Sequence, residues 1–339
     1  MALALGAAIV AVTGHSPSKV VTYLYDGSLG NWGAVGYTID QATPLLIVAL
    51  GTTIAVRAGH FNIGQEGQLT IGAMAGALVA LKLGGPGPLV LVVALGAAAG
   101  GGAIWAGISA LLRFWRGVDV VISSLLLIFV ADQLLEYAVN VRWLLRDTTQ
   151  TTVATSALVS PHRRLPRFGR YPQLTFSSAA VLALVLTGVI AVALARSRWG
   201  FRLRMLGLNP AMARRAGVGA AAVGGGAIVL SGALAGLAGG VMLTGQVYRL
   251  APGFSGNVGW NGLLVALIAR NHPLACVAVS VFFGIIVAGG GFLATGNIPS
   301  DLVNVVEALL VLAAVFPPAL IRLRRSLPGG APAELEVPA

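Results

Sequence analysis

Long apolar runs recur along almost the whole chain, and they restrict its fold more than any other feature of the sequence. A helix needs about 20 apolar residues to cross the hydrocarbon core of a bilayer, and most of the runs approach that length. In lipid every backbone polar group must find a partner within the protein, so such runs fold as helices. We place helices at residues 2–13, 41–58, 66–83, 88–112, 118–141, 173–196, 220–247, 259–270, 274–296 and 299–320. The sequence therefore predicts an all-α fold, a polytopic transmembrane helical bundle of about ten helices.

The composition agrees with this fold class. Of the 339 residues, 10% are charged and 57% are hydrophobic, and the mean hydropathy is +0.87, whereas soluble domains are about 25% charged. The net charge of +11 would fit a nucleic-acid-binding protein. However, the basic residues lie in short segments between the apolar runs, which is the pattern that sets membrane orientation. We expect a multi-pass protein of the cytoplasmic (inner) membrane, in contact with the lipid bilayer and with no nucleic acid.

The basic residues also indicate how the chain is divided. With the amino terminus in the cytoplasm, more than half of the 22 basic residues lie on the cytoplasmic side. The main exception is a predicted outer loop, 142–172, which contains six arginines. We interpret 1–320 as one transmembrane domain, with a polar cytoplasmic segment at 197–217. A basic stretch and a tail rich in proline and glycine follow at 321–339, and we expect the tail to be disordered.

The first apolar run, 2–13, is too short to span the bilayer comfortably. No basic segment precedes it and no small-residue cleavage site follows it, unlike in a signal peptide. We interpret it as a partial first helix or as the result of a start codon placed late.

Between residues 59 and 81 a polar stretch that contains glycines leads directly into a long apolar helix pattern. Asn62, Gln65, Glu66 and Gln68 lie here between two predicted spans. Polar groups inside a membrane are costly unless they line a cavity or face protein. The stretch is therefore a candidate part of a solute route, with Phe61 beside it. The alternative is a polar loop at the bilayer surface, acting as a gate or an anchor.

A second stretch of similar character lies at 253–271, where glycines and polar residues again lead directly into an apolar helix. Its members Phe254, Asn257, Trp260 and Asn261 parallel the first set in character. Under the predicted topology the two following helices run in opposite directions, so the halves, roughly 1–141 and 173–320, form two inverted repeats of about five helices. Interrupted helices in corresponding places of inverted repeats indicate a transporter with its route between the repeats.

Other polar groups within the spans allow two interpretations. Asp132 and Glu136 share one helix face, and they could serve proton coupling or solute binding, or simply pair with Arg142 or Arg146. Glu307 in the last predicted helix could line a cavity or bond to a neighbouring helix.

Glycines at four-residue spacing are interpreted as packing seams; they are Gly72 and Gly76, Gly96 and Gly100, and Gly232, Gly236 and Gly240.

The sequence contains no motif for catalysis. A phosphate-binding loop requires a lysine after a glycine, but the two lysines, Lys19 and Lys82, do not follow glycines. The four histidines are scattered singly and make no metal-ligand spacing. We expect a non-enzymatic membrane protein that binds no metal and no cofactor.

Three segments resemble a known family. FNIGQEGQLTIGA at 61–73, GLNPAMARRAG at 207–217 and ALIARNHPL at 266–274 resemble permease subunits of bacterial ABC importers for nucleosides and simple sugars. That group also includes ribose-type and branched-chain amino-acid permeases. The resemblance implies two ABC ATPase subunits that use ATP, and an extracytoplasmic solute-binding lipoprotein or periplasmic protein. It also implies a second, paralogous permease in a heterodimer.

The resemblance further implies roles for individual residues. The segment 197–217 would be the cytoplasmic coupling segment that docks on the ATPase, through Gly207, Asn209, Pro210, Arg214 and Gly217. Asn209 and Pro210 also suit the start of a short helix, as cap and first residue; a basic amphipathic helix on the headgroups is the alternative. The implied solute is a nucleoside. The alternatives are a simple sugar such as ribose, an ion-coupled secondary transporter, or a membrane scaffold without transport.

Overall fold

The computed structural model describes residues 17–149, 153–169 and 173–293. The predicted helices at 2–13 and 299–320, the residue Glu307 and the tail at 321–339 lie outside the described residues. Both interrupted stretches and the polar segment 197–217 lie within them.

Helices make up nearly all of the described structure. Eleven α-helices occur in these ranges: α1 Pro17–Ser28, α2 Trp32–Arg57, α3 Gln65–Lys82, α4 Gly87–Arg116, α5 Val120–Asn140, α6 Ala179–Arg196, α7 Arg198–Leu208, α8 Pro210–Arg215, α9 Gly226–Met242, α10 Val258–Ile268 and α11 Pro273–Leu293. Turns of π-helix extend α9 at both ends, over Ala221–Gly225 and Leu243–Val247. Six of these segments are long and apolar enough to cross a membrane. The all-α polytopic class is confirmed.

The predicted helices near the amino terminus were wrong in two respects. Helix α1 was not predicted, and α2 begins at Trp32 instead of residue 41. The side chain of Asn31 caps α2, because its Oδ1 accepts a hydrogen bond from the N–H of Ala34 at 2.9 Å. The first turns of α2 are of mixed polarity, so a search for apolar runs finds only its later part.

Each half of the chain packs one of its helices against helices of the other half. Helix α2 packs against α10 and α11, whereas α9 packs against α3 and α4. Helices α2 and α9 contact each other and run antiparallel. Gln246 Nε2 donates to the carbonyl oxygen of Asp40 at 2.6 Å near one end, and Gly224 lies against His60 near the other. This reciprocal packing of α2 and α9 agrees with the predicted inverted arrangement.

Glycines permit the closest helix contacts, as predicted for most of them. A Cβ atom on Gly72 would lie 2.3 Å from the Cα of Gly236, so α3 and α9 touch backbone to backbone. Gly102 of α4 makes a similar contact with α9. Gly96 and Gly100 make no such contact within the described residues, because a Cβ added at either position would have no atom of another described element within 4 Å.

The outer loop covers one end of the bundle. Val159 N–H donates to the carbonyl of Tyr248 at 2.8 Å, and Leu165 N–H donates to that of Thr244 at 3.0 Å, both just after α9. The short strands Arg167–Phe168 and Phe176–Ser177 pair antiparallel beside this point. We call this the loop end of the bundle, and the opposite end, where α7 and α8 lie, the α7–α8 end.

An ion pair fastens the outer loop to α2. Arg167 Nη2 lies 2.6 Å from Asp40 Oδ2, and the N–H of Ser177 donates to Asp40 Oδ1 at 2.7 Å. Partial burial alone would lower the pKa of the Arg167 guanidinium, but the charge and hydrogen bond of Asp40 outweigh it, so the pKa is raised. Arg167 therefore stays charged opposite a buried carboxylate.

Candidate functional site

Three of the predicted route residues form one buried hydrogen-bonded network. Asn62, Gln65 and Gln68 are each at most 1% exposed. Asn62 and Gln68 exchange two amide hydrogen bonds, of 2.9 and 3.0 Å. Both Asn62 Nδ2 and Gln65 Nε2 donate to the hydroxyl of Ser231, at 3.1 and 2.9 Å. Thr52 completes the network by donating to Gln65 Oε1 at 2.6 Å.

This network lies deep within the bundle. Gln65 Nε2 also donates to the carbonyl of Val48 at 3.4 Å, and Val48 lies nine residues before the end of α2 at Arg57. At 1.5 Å per residue this is roughly 14 Å along the helix, close to half of the roughly 30 Å hydrocarbon core. The segment between α2 and α3 thus turns at the α7–α8 end, where Gly59 lies against Gly207, and returns into the bundle.

Glu66 joins the two interrupted stretches. Its carboxylate accepts hydrogen bonds from the N–H groups of Asn257, Gly259 and Trp260, at 3.1, 2.6 and 3.2 Å. These groups lie at the amino terminus of α10, where backbone N–H groups would otherwise have no partners. Glu66 also lies in the first turn of its own helix, α3. One carboxylate therefore faces the positive ends of two helix dipoles.

Local backbone geometry makes this contact possible. Asn257 has φ of 65°, in the left-handed region, and this turns its N–H toward Glu66. A Cβ on Gly259 would lie 2.5 Å from Oε2 of Glu66 and 2.4 Å from its backbone nitrogen. Only glycine allows α10 to begin so close to α3.

A cavity of about 490 Å³ opens beside Glu66. It lies between α5 and the segment that leads into α10, and it combines carboxylate, amide, hydroxyl and indole groups. The polar and aromatic side chains that line it are Glu66, Asp132, Gln133, Glu136, Ser255, Asn257 and Trp260. Its size falls within the roughly 300–1,000 Å³ that is usual for small-molecule sites.

The structure separates the nine predicted route residues into groups. Glu66, Asn257 and Trp260 line the cavity, while Asn62, Gln65 and Gln68 form the buried network. Phe254 is buried in the hydrophobic core, and Phe61 and Asn261 are half-buried outside the cavity lining.

The sequence left the role of the two carboxylates of α5 open, and the structure places both of them at the cavity. Asp132 and Glu136 are both exposed along one face of α5, with Gln133 beside them. Exposed carboxylates within a spanning helix are costly against lipid, so this face borders water or another protein. Their four-residue spacing was the feature of the sequence that indicated a shared helix face. Within the described ranges no group of three His, Cys, Asp or Glu residues could hold a metal ion.

The segment 197–217 folds into two helices at the α7–α8 end. As predicted, Asn209 caps the short helix α8, because its Oδ1 accepts from the N–H groups of Ala211 and Met212 at 3.1 and 3.0 Å. Pro210 is the first residue of α8. Gly207 packs against the end of α2, since a Cβ there would lie 2.3 Å from the carbonyl oxygen of Arg57.

The tip of this segment is open to solvent. Leu208 is 87% exposed, and Arg214 and Gly217 are exposed as well. Gly217 has φ of 77° and ends α8 in the left-handed region, where glycine is favoured. An exposed tip with an apolar residue and adjacent cations suits contact with another protein.

Comparison with known proteins assigns the chain to a family. The family model described as "Branched-chain amino acid transport system / permease component" matches residues 35–315. The glucose ABC transporter permease protein TsgB13 of Haloferax volcanii is 30% identical over 92% of this chain and 83% of its own length. The guanosine ABC transporter permease protein NupP of Bacillus subtilis is 31% identical, with 92% and 89% covered.

A third relative is the nucleoside ABC transporter permease protein NupB of Lactococcus lactis, 28% identical over 91% of this chain and 86% of its own length. No solved structure matches the chain significantly. Permeases of this family are non-catalytic membrane subunits that work with ATPase and substrate-binding partners, and ATP hydrolysis lies in the partner subunits. The chain therefore belongs to the family of permease components of ABC transporters, and it is a multi-pass importer subunit of the cytoplasmic membrane.

Proposed function

We propose that this permease carries nucleosides into the cell and that its solute route passes the cavity beside Glu66. The observation that carries this proposal is the cavity lining, which places an indole next to carboxylate and amide groups. A nucleoside combines a flat base with a ribose bearing hydroxyl donors. Trp260 offers a face for the base, and Asp132 and Glu136 offer acceptors for the hydroxyls.

The cavity sits on an exposed face of α5, so a second subunit would complete its wall. We propose that this subunit is a paralogous permease in a heterodimer. Two different guanosine permeases of Bacillus subtilis, NupP and NupQ, are 31% and 26% identical to this chain, which supports a system with two unlike permeases. An extracytoplasmic solute-binding lipoprotein or periplasmic protein would deliver the solute at the loop end.

In this proposal the buried network and the cavity have different roles. In the conformation described, Asn62 bonds to Gln68, and both Asn62 and Gln65 donate to Ser231. They reach the solute route only in a state in which α3 and α9 move apart. Glu66, Asn257 and Trp260 already line the cavity.

We propose further that α7 and α8 couple transport to ATP. Of the two ATPase subunits expected in the complex, one would bind the tip of this chain, formed by Gly207, Asn209, Pro210, Arg214 and Gly217. Gly207 contacts the backbone of Arg57 and Gly59 directly, so movement of the tip would reach α2 and the segment that leads into the buried network. ATP is then used by the partners, and this chain binds no cofactor.

The test is uptake by the whole complex. Proteoliposomes containing this chain, its partner permease, the ATPase subunits and the binding protein are supplied with labelled guanosine, uridine, ribose or glucose. We expect ATP-dependent uptake of nucleosides, reduced by Trp260→Leu and unaffected by Trp115→Leu, an exposed tryptophan at the end of α4. Unchanged nucleoside uptake in Trp260→Leu would remove the argument from the indole.

Two alternatives give different results. Uptake of a simple sugar but not of nucleosides would favour a sugar permease. The relative named for glucose is the reason to include sugars in the test. Uptake that survives removal of the ATPase subunits but stops with an uncoupler would indicate an ion-coupled transporter, as Asp132 and Glu136 could support.

A further inference from the structure

A pocket rich in arginine lies at the α7–α8 end, separate from the cavity beside Glu66. Its volume is about 640 Å³. Four exposed arginines line it together with apolar residues, and the full lining is Ala195, Arg196, Ser197, Arg198, Phe201, Arg202, Arg204, Met205, Ala216 and Val218. No acidic residue is among these lining residues. The pocket is therefore a concentration of positive charge without a described counter-charge.

The pocket lies where a spanning helix leaves the bilayer. Helix α6 ends at Arg196, and Ser197 caps α7 by accepting a hydrogen bond from the N–H of Gly200 at 3.0 Å. A Cβ on Gly200 would lie 2.6 Å from the carbonyl oxygen of Ala193, so α7 folds back tightly against the last turn of α6. Because α6 is long and apolar enough to span the bilayer and ends at Arg196, we expect these arginines to lie at the level of the lipid headgroups.

An apolar stripe on α6 leads into the pocket. Its side chains are between 47% and 60% exposed and recur at three- and four-residue spacing: Val181, Leu184, Val185, Val189 and Val192. The same face continues to Ala195, which lines the pocket. A ligand with an anionic head and long apolar chains would match the pocket and the stripe together.

We propose that this pocket binds the phosphodiester headgroup of an anionic phospholipid, with the acyl chains lying along the stripe of α6. Arginine suits this role because its planar guanidinium can donate two parallel hydrogen bonds to one phosphate. Basic pockets at the ends of spanning helices select anionic lipids by this electrostatic attraction. The stripe favours a lipid over an ATPase surface, since a soluble partner would contact the arginines but not the membrane-facing side of α6.

The test measures lipid binding to the full-length chain in complex with its partner subunits. Native mass spectrometry of the detergent-solubilised complex, titrated with dioleoyl phosphatidylglycerol or dioleoyl phosphatidylcholine, gives the affinity of the first bound lipid. We expect a preference for phosphatidylglycerol that falls about 30-fold in the double variant Arg198→Gln/Arg202→Gln. Each basic residue near an anionic bilayer surface contributes a factor of about five.

Matched variants separate this site from general charge effects. Arg113→Gln/Arg116→Gln, at the end of α4, removes the same charge at the same end of the bundle but outside the pocket, and it should leave the phosphatidylglycerol affinity unchanged. Arg198→Lys/Arg202→Lys should lose less than the glutamine pair, because lysine keeps the charge but not the planar fork. Competition with millimolar inorganic phosphate should not displace the lipid.

Three outcomes would overturn the proposal. The first is an equal loss of affinity in both glutamine pairs, which would indicate long-range electrostatics only. The second is displacement by inorganic phosphate, which would indicate a soluble phosphate compound. The third is an unchanged lipid affinity together with loss of the ATPase subunits in Arg198→Gln/Arg202→Gln, which would make the pocket a protein-docking surface.

Discussion

The N–H of Gly259 donates a 2.6 Å hydrogen bond to the carboxylate of Glu66, across 193 positions of the chain. The contact joins the first turn of α3 to the amino terminus of α10. The inverted pattern in the sequence suggests two helix amino termini aimed at a common cavity. In the described conformation the protein's own carboxylate occupies the point where they meet, and the cavity begins beside it.

Replacing Glu66 tests this junction. Glu66→Gln keeps the size of the side chain but removes the charge, and an amide has only one oxygen to accept three N–H groups. We expect the complex to assemble and to lose stability by about 2 kcal/mol, with slower uptake. Thermal unfolding and uptake assays measure the two effects, and Asp26→Asn, an exposed acid on α1, is the control. Normal uptake in Glu66→Gln would show that the junction has no part in transport.

Ser231 tests the buried amide network. Ser231→Ala leaves the donors Asn62 Nδ2 and Gln65 Nε2 without this acceptor, and we expect a loss of about 1–3 kcal/mol in the free energy of unfolding. Ser109 is a matched control, because its hydroxyl is buried without a hydrogen-bond partner among the described residues. Ser109→Ala should therefore be neutral or slightly stabilising. Similar losses in both variants would argue against the network.

The ion pair of the outer loop makes a double-mutant prediction. Arg167→Ala leaves the carboxylate of Asp40 without its cation. Because the Arg167 side chain is 39% exposed, water screens the pair, and we expect a loss of about 1–3 kcal/mol in the free energy of unfolding. Asp40→Asn combined with Arg167→Ala should recover part of this loss. Unfolding measurements on the two single variants and the double variant give the coupling energy. Additive losses would mean that the two residues act independently.

Asn209 tests the coupling role of α8. Asn209→Ala removes the cap of α8 and should cost about 1 kcal/mol locally, and we expect ATP hydrolysis to continue while uptake falls. Asn31→Ala removes an equivalent cap from α2 and should leave the ratio of uptake to hydrolysis unchanged. ATPase activity and uptake are measured on the same proteoliposomes. A ratio unchanged by Asn209→Ala would leave α8 as a surface helix only.

The carboxylates of α5 test the solute route. Asp132→Asn and Glu136→Gln each remove an acceptor from the cavity without a change of size, and we expect a higher KM for uptake with unchanged assembly. The loss should persist when the membrane potential and the proton gradient are removed. If an uncoupler abolished uptake by the unaltered protein, the carboxylates would be better explained by proton coupling.

Local features were predictable from the sequence. Apolar runs located the spanning helices, because their length is set by the bilayer, and Asn209 with Pro210 marked the start of α8. Long-range features were not predictable. Ser231 is one small polar residue in an apolar helix, and nothing in its neighbourhood indicates that two amides 166 and 169 positions away donate to it. Gly96 and Gly100 have the spacing of a packing seam, but spacing does not tell which face of α4 meets a partner.

The packing of α2 against helices of the second half has a consequence for biogenesis. Helix α2 is synthesised early, yet it packs against α9, α10 and α11, which enter the membrane only after some 170 further residues have been translated. Until then the amides of Gln65 and Asn62 have no Ser231. A nascent chain halted before α9 would expose these groups to the insertion machinery, and such intermediates should be recognisable substrates for membrane quality control.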